Sequence, residues 1–201
     1  MGISLWLVPR ASQAAKIKYT MRVKPSSPPR SPASFPPFDP HVTLASHPSD
    51  ASALRAALPT GQRAIPVRFK SLEVGDKYFM SVFVAVHSPP GSPLETLRDH
   101  LREKLGEQAV PPVAHLSLYY IDDADKEERE RTAETLRSEL RVLESGQGEE
   151  RSVRLACVDD DVEGEQEPEI LEGFDGEEIW VVKCEGPVPE WEVLEKINLT
   201  Q

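Results

Sequence analysis

The amino-acid sequence predicts an α+β protein with largely antiparallel strand pairing. Short apolar or alternating segments, typical of strands, are mixed along the chain with segments whose leucines recur at helical spacing. Two consecutive strand-like segments flank Gly75-Asp76, which predicts a hairpin. No glycine-rich phosphate loop follows a strand-like segment, so a simple Rossmann sheet is disfavoured.

The first half of the chain combines short elements with one unusual loop. Segment 25–40 holds seven prolines, which excludes both a helix and a central strand and predicts a long loop, ordered or floppy. Ser49 or Asp50 can cap the predicted helix that ends at residue 58. The predicted elements are a strand over 3–8, a helix over 12–23, a short strand from 41, a helix over 50–58 and hairpin strands over 65–74 and 78–87.

Leucine spacing organises the second half of the chain. Leu94, Leu97 and Leu101 recur at helical spacing, and Gly106 ends that helix. A second helix carries mostly charged residues and only a narrow apolar seam, so we expect it to cover a sheet with one face. The predicted elements are helices over 93–105 and 125–143 and strands over 113–120, 151–158, 178–184 and 191–199, with an acidic loop over 159–178.

The charge of the chain is concentrated in that acidic loop. The 201 residues include 23 Lys and Arg and 34 Asp and Glu, a net charge of −11. Segment 159–178 alone holds 11 acidic residues and no basic ones, so the rest of the chain is neutral. A protein that binds long nucleic acid needs surplus cations to displace counterions, and this chain has none. A small anionic ligand needs only a few local donors.

Two of the five histidines begin the same four-residue pattern. His41-Val42-Thr43-Leu44 and His115-Leu116-Ser117-Leu118 each follow a proline-containing loop and suit a short strand. Alternate strand side chains share a face, so each segment presents an imidazole beside a hydroxyl, with apolar residues behind them. One copy would be an ordinary strand edge. Two copies favour a shared site built by internal duplication.

Metal and cofactor chemistry receive less support. Imidazole suits zinc, but spacing places no third ligand beside either histidine motif, so we expect a site without metal or cofactor. Cys157 and Cys184 are the only cysteines and form no close pair, as expected for buried thiols in a reducing compartment. No apolar run approaches the roughly 20 residues that span a bilayer. Residues 3–8 are too short an apolar stretch for a secretion signal.

Together these segments resemble the two-histidine phosphoesterase superfamily, and in particular the fungal 2′,3′-cyclic-nucleotide 3′-phosphodiesterases. The resemblance extends from the first predicted strand to the last, and the C-terminal segment is what points to the cyclic phosphodiesterase branch. The matching segments are Ser4-Leu5-Trp6-Leu7-Val8-Pro9, Phe38-Asp39-Pro40 before the first histidine motif, Gly75-Asp76-Lys77-Tyr78-Phe79, the second motif with Tyr119-Tyr120, and Val181-Val182-Lys183-Cys184-Glu185-Gly186-Pro187 with Trp191-Glu192-Val193-Leu194.

This resemblance implies a fold and a reaction. The fold would be a single bilobal α+β domain over 1–201, with two pseudo-symmetric antiparallel sheets flanked by helices around a central cleft. The reaction would be hydrolysis of nucleoside 2′,3′-cyclic phosphates to 2′-phosphates, and of ADP-ribose 1″,2″-cyclic phosphate, a by-product of tRNA splicing. The proline-rich loop 25–40 and the acidic loop 159–178 match no motif of the family.

Site residues follow from the same two motifs. His41 and His115 would be the acid and base, since an unperturbed pKa near 6.5 allows either role; our working assignment is His115 as base. Thr43 and Ser117 would bind the phosphate.

Aromatic and cationic residues complete the expected site. Tyr120, five residues after the second histidine, is the family's aromatic, whereas a regular strand would present Tyr119 instead. Trp6 is a candidate to stack on a base or sugar, or else a core aromatic. Lys77, Arg68 and Arg63 could add positive charge, or be ordinary surface cations.

Two rival functions remain, an RNA-end-processing phosphoesterase of the same superfamily and a nucleotide-binding module without turnover. The neutral body of the chain counts against a long RNA track, and paired histidines with hydroxyls count against a pure binder. We expect a monomer acting on a small cyclic phosphate nucleotide, with no integral membrane association. Cytoplasm is the expected compartment, with peripheral association with endomembranes such as the Golgi as the alternative.

Overall fold

A computed structural model describes residues 2–159 and 167–200. Within them, the α+β class and the antiparallel pairing predicted from sequence are confirmed. The strands are β1 (Ile3–Pro9), β2 (Val42–His47), β3 (Ile65–Lys77), β4 (Met80–Val86), β5 (His115–Tyr119), β6 (Val142–Ser145), β7 (Ser152–Cys157), β8 (Glu169–Leu171), β9 (Gly173–Lys183) and β10 (Glu192–Asn198). The α-helices are α1 (Ala11–Thr20), α2 (Ala51–Ala56), α3 (Pro93–Leu105) and α4 (Glu127–Ser138).

Seven strands form one antiparallel sheet, ordered β1-β2-β5-β4-β3-β9-β10. Strand β1 also pairs with β9 along its whole length, so the sheet closes on itself. The two histidine strands β2 and β5 lie side by side and meet where Val42 pairs with Leu116. The two antiparallel sheets expected from the resemblance are therefore joined through this strand pair into one sheet. Strands β6, β7 and β8 form a separate sheet.

Helix α3 shows how closely local sequence sets some elements. It has the predicted bounds, begins with Pro93 after Ser92, whose side chain accepts from Glu95 N, and ends at Gly106. Leu94, Leu97 and Leu101 are buried in the main core, and Leu105 packs against it partly buried. Asp50 likewise caps α2, accepting from Ala53 N at 2.9 Å. No helix among the described residues is long and apolar enough to cross a membrane.

The charged helix is shorter than the sequence predicts. It ends at Ser138 rather than near residue 143, because Leu140 adopts a left-handed backbone (φ 56°) and is exposed. Val142 then begins β6, which pairs with β7. Leu143, which the sequence places on the apolar seam of the predicted helix, therefore belongs to strand β6.

The acidic segment is not a loop over its whole length. Residues 160–166 lie outside the described part, but β8 and β9 together cover most of 169–178. Phe174 is fully buried in the core, whereas the carboxylates of Glu169, Glu172 and Glu177 are exposed. A Cβ at Gly173 would lie 1.9 Å from the Val67 carbonyl oxygen, so glycine permits the close approach of β9 to β3.

The predicted hairpin also turns later than expected. Strand β3 continues through Gly75-Asp76 to Lys77, and the chain reverses at Tyr78-Phe79. The Ser81 hydroxyl, which is fully buried, donates to the Tyr78 carbonyl at 2.7 Å. This side-chain bond fixes a turn that lacks the glycine on which the prediction relied.

Candidate active site

The two histidine motifs face one cleft. Pairing of β2 with β5 brings His41 and Thr43 beside His115 and Ser117, and all four side chains line a cavity of about 330 Å³. Their apolar neighbours Val42, Leu44, Leu116 and Leu118 are all buried on the opposite face. The strand alternation that the sequence predicts therefore assembles both imidazoles and both hydroxyls in a single place.

Each imidazole is held by the same backbone contact. His41 Nδ1 lies 2.6 Å from the Asp39 carbonyl oxygen, and His115 Nδ1 lies 2.9 Å from the Val113 carbonyl oxygen, in both cases two residues before the histidine. A carbonyl only accepts, so we assign the proton of each neutral ring to Nδ1. The Nε2 atom of each ring then carries the lone pair that can take up a proton.

Burial disfavours the charged form of both rings. Desolvation lowers the pKa of His41 to about 4, opposed by its bond to Asp39 and assisted by the nearby charge of His115. Burial also lowers the pKa of His115, opposed by its bond to Val113 and assisted by Arg98. Because each ring acts on the other, a proton on His115 disfavours a second proton on His41.

The two hydroxyls differ in their surroundings. Thr43 is half-buried, whereas Ser117 is 5% exposed and donates to the Phe79 carbonyl at 2.9 Å. Tyr120 lies beside Ser117, whose hydroxyl opposes the effect of burial on the pKa of Tyr120. Burial raises the pKa of Tyr120, so its phenol stays protonated and can donate to the serine oxygen.

A β-bulge decides which tyrosine faces the cleft. In the pairing of β4 with β5, Phe83 opposes Ser117 and Val82 opposes Tyr119, so Leu118 is an extra residue on β5. The bulge reverses the alternation, and Tyr120 lines the cleft. Tyr119 instead packs in the core, where its hydroxyl donates to the Thr20 carbonyl at 2.6 Å.

Trp6 lies flat against the first histidine. The rings of Trp6 and His41 stack at 3.6 Å between centroids and 5° between planes, and Trp6 is 4% exposed. One face of the indole is thus already covered by His41, although its edge lines the cleft. Trp191 also lines the cleft, half-buried and 5.7 Å from Phe79 between ring centroids. Sequence analysis used Trp191 only for the resemblance; it lies just outside β10, where strand alternation gives no signal.

The proline-rich loop is an ordered wall behind the cleft. The Asp125 carboxylate accepts from the backbone N–H groups of Arg30 and Ser31 and from the Ser34 hydroxyl, all within 3.0 Å. The loop then places Phe38 against Tyr120, with stacked rings 4.0 Å apart. The two possibilities left open from sequence therefore resolve to an ordered loop, anchored by residues about 90 positions away.

A sequence profile described as "Cyclic phosphodiesterase-like protein" matches residues 1–199. The chain belongs to this family. A search of curated proteins finds no match. Three similar solved structures are E. coli LigT in its apo form (16% identity, TM-score 0.52, covering 100% of this chain and 98% of that one), a phosphoesterase (14%, 0.56, 100% and 99%) and E. coli LigT complexed with NADP⁺ (15%, 0.52, 100% and 98%).

Family membership makes the chain a phosphoesterase of the two-histidine superfamily. At 14–16% identity the solved structures add the fold alone, and they do so over the full length of the chain. Both agree with the arrangement of two fixed imidazoles and two hydroxyls in one cleft.

Few charges line the cleft of this family member. Among the described lining residues, Lys77 is the only Lys or Arg, and there is no Asp or Glu. Arg63 lines a different surface depression, and Arg68 opposes Gly173 across β3 and β9. Within the described ranges, no group of three or more His, Cys, Asp or Glu is arranged to hold a metal ion.

One cation that the sequence analysis missed lies behind the second histidine. Arg98 is 1% exposed, pairs with Glu95 at 3.0 Å and donates to the Pro111 carbonyl at 2.7 Å. It thereby fixes the loop that leads into His115. Its only sequence signal was a charged residue on the leucine face of α3, next to Leu97 and Leu101.

Proposed function

We propose that this chain hydrolyses nucleoside 2′,3′-cyclic phosphates to nucleoside 2′-phosphates without a metal, with ADP-ribose 1″,2″-cyclic phosphate as a related substrate. The observation that carries the proposal is the matched fixing of His41 and His115 by carbonyl oxygens two residues earlier, in one cleft. Opening a cyclic phosphodiester needs one proton taken from water and one given to the leaving ribose oxygen. Two imidazoles are sufficient for both transfers.

The deeper burial of His41 favours it as the base. With a pKa of about 4, His41 is neutral near pH 7 and can accept a proton at Nε2 as water attacks phosphorus. His115 is the less buried ring and the better site for the one proton that the pair carries. It gives that proton to the 3′ oxygen as the P–O3′ bond breaks. This assignment reverses our working one from sequence.

The hydroxyls act on the non-bridging phosphate oxygens, where charge builds in the transition state. Thr43 donates directly. The Ser117 hydrogen points to the Phe79 carbonyl, so it must rotate towards the phosphate when substrate binds. Tyr120 can donate to the Ser117 oxygen during this rotation, since an oxygen can accept while its own hydrogen is donated elsewhere. Tyr120 is therefore a positioning residue for Ser117.

Product analysis tests the reaction. Incubation with 2′,3′-cyclic AMP should give 2′-AMP and no 3′-AMP, with the two monophosphates resolved by chromatography. The rate should stay within about twofold after treatment with EDTA, because the proposal requires no Lewis acid. Formation of 3′-AMP would reverse the roles of the two ribose oxygens, and loss of activity with EDTA would show a metal-dependent reaction.

The pH profile should be shifted to the acid side. The base must be neutral, so kcat/KM rises as the pH passes the His41 value of about 4. The acid must be protonated, so kcat/KM falls as the pH passes the pKa of His115, which burial holds below 6.5. We expect a bell-shaped profile with its maximum between these limits, measured with 2′,3′-cyclic AMP from pH 3.5 to 8. A plateau that extends above pH 7.5 would contradict it. Thr43→Ala should lower the curve without moving either limb.

A further inference from the structure

The cleft contains a pair of serine hydroxyls that the two motifs do not include. Ser4 Oγ and Ser46 Oγ lie 2.8 Å apart, and both side chains line the cleft together with Gly2 and Cys184. Ser4 is 8% exposed, whereas Ser46 is exposed. Ser4 also lies beside the Cys184 thiol. One part of the cleft is thus lined by uncharged groups that donate and accept hydrogen bonds.

A β-bulge turns Ser46 towards the cleft. In the pairing of β1 with β2, Trp6 opposes Thr43 and Leu5 opposes Ala45, so Leu44 is an extra residue on β2. Without it, regular alternation from His41 and Thr43 would present Ala45, which is fully buried.

A β-bulge occurs at the same position in both histidine strands. Leu44 and Leu118 each follow the motif hydroxyl and form the bulge, and in each strand the residue five positions after the histidine then lines the cleft. After the second strand that residue is Tyr120, which lies beside Ser117. In the first it is Ser46, which bonds to Ser4 instead of to Thr43. The first strand therefore directs its fifth residue away from the phosphate-binding hydroxyl.

We propose that Ser4 and Ser46 form a subsite that binds uncharged hydrogen-bonding groups of the nucleoside part of the substrate. This inference rests on the proposed function, which assigns the phosphate to Thr43 and Ser117. A phosphate would gain more from a cation, and no Lys or Arg among residues 2–159 and 167–200 hydrogen-bonds to either serine. A hydroxyl both donates and accepts, so the pair suits donors and acceptors alike. The subsite therefore favours nucleosides without choosing strongly among the bases.

The test compares nucleotides with a substrate that lacks a nucleoside. The variants Ser46→Ala and Ser4→Ala should each raise KM about three- to tenfold for the 2′,3′-cyclic phosphates of adenosine, cytidine, guanosine and uridine, the usual effect of one lost hydrogen bond. Their kcat should change less than twofold. For glycerol 1,2-cyclic phosphate neither parameter should change. Ser46→Thr keeps the hydroxyl and should stay near wild type.

A second serine pair supplies the matched control. The hydroxyls of Ser145 and Ser152 lie 2.9 Å apart at the surface, on β6 and β7 and outside the cleft, so Ser152→Ala should leave the kinetics of both substrates unaffected. Unchanged KM for nucleotides in both cleft variants would overturn the subsite. An equal rise in KM for glycerol 1,2-cyclic phosphate would overturn it too, because the serines would then act on the phosphate. A wild type that opens no cyclic phosphate would refute the proposed function itself.

Discussion

Replacing either cleft histidine by alanine should lower kcat/KM for 2′,3′-cyclic AMP by about 10³-fold. Each imidazole carries one of the two proton transfers, and a positioned acid or base typically contributes about 10²- to 10⁴-fold. Within the described part of the chain, the only hydrogen bond of each ring is to one backbone carbonyl. We therefore expect both variants to fold. Steady-state kinetics of His41→Ala and His115→Ala test the loss of kcat/KM, and circular dichroism tests whether the variants fold.

The two variants should differ when the leaving group needs no proton. For a phosphodiester that releases p-nitrophenolate, the acid is dispensable, so His115→Ala should recover to within about tenfold of wild type. His41→Ala should stay impaired, since water still requires a base. If His41→Ala recovered with this substrate and His115→Ala did not, His41 would be the acid and His115 the base, as assigned from sequence. Full activity of both variants with the cyclic nucleotide would refute the mechanism.

His100 is the matched control for these histidine variants. It lies on α3 and lines a different surface depression, away from the cleft. His100→Ala should therefore keep kcat/KM within about twofold of wild type for both substrates. A large loss in this variant would mean that alanine in place of a histidine acts through stability rather than through chemistry.

Sequence identifies the four motif residues because their signal is local and periodic. A histidine and a hydroxyl two residues apart, with leucine or valine between and after them, require only that the segment be a strand. Duplication of the pattern then implies a shared site. The same local logic gives the bounds of α3, where Ser92, Pro93 and Gly106 mark both ends.

Sequence cannot specify features that depend on pairing between distant strands. The bulges at Leu44 and Leu118 are defined only against their partner strands, so alternation gives no reason to select Ser46 or to reject Tyr119. Tyr120 was selected through the family resemblance, not through the pattern. Phe38 reaches Tyr120 only because Asp125 anchors the proline-rich loop from across the chain. Such contacts need the tertiary structure.

Trp6 is the residue for which the sequence left two roles open, and its geometry supports a third. Its indole stacks on His41, packs with Val8 and Val182, and lies 5.8 Å from Trp191 between ring centroids. A stacked indole restricts rotation of the imidazole about its Cβ. Its π face also stabilises a protonated ring, typically by about 0.5–2 kcal/mol, which would assist His41 after it takes the proton from water. We infer that Trp6 positions His41.

Removing the indole should therefore affect both stability and catalysis. Trp6→Ala is expected to lower the free energy of unfolding by about 3–5 kcal/mol, the usual cost of deleting a buried Trp side chain, and to lower kcat at least about tenfold. Trp6→Phe keeps an aromatic face against His41 and should retain the fold with a smaller loss of kcat. Urea denaturation and steady-state kinetics give both quantities.

The readout that separates positioning from base stacking is the substrate without a base. If Trp6 positions His41, Trp6→Phe lowers kcat for glycerol 1,2-cyclic phosphate and for 2′,3′-cyclic AMP by the same factor, because hydrolysis of both substrates needs His41 as the general base. If Trp6 stacks on the nucleobase, only KM for the nucleotide rises. The ring current of the indole adds a signature without substrate: the His41 ring protons should lie upfield in wild type and move downfield in Trp6→Ala. Unshifted His41 resonances in wild type would contradict the stacked geometry on which this role depends.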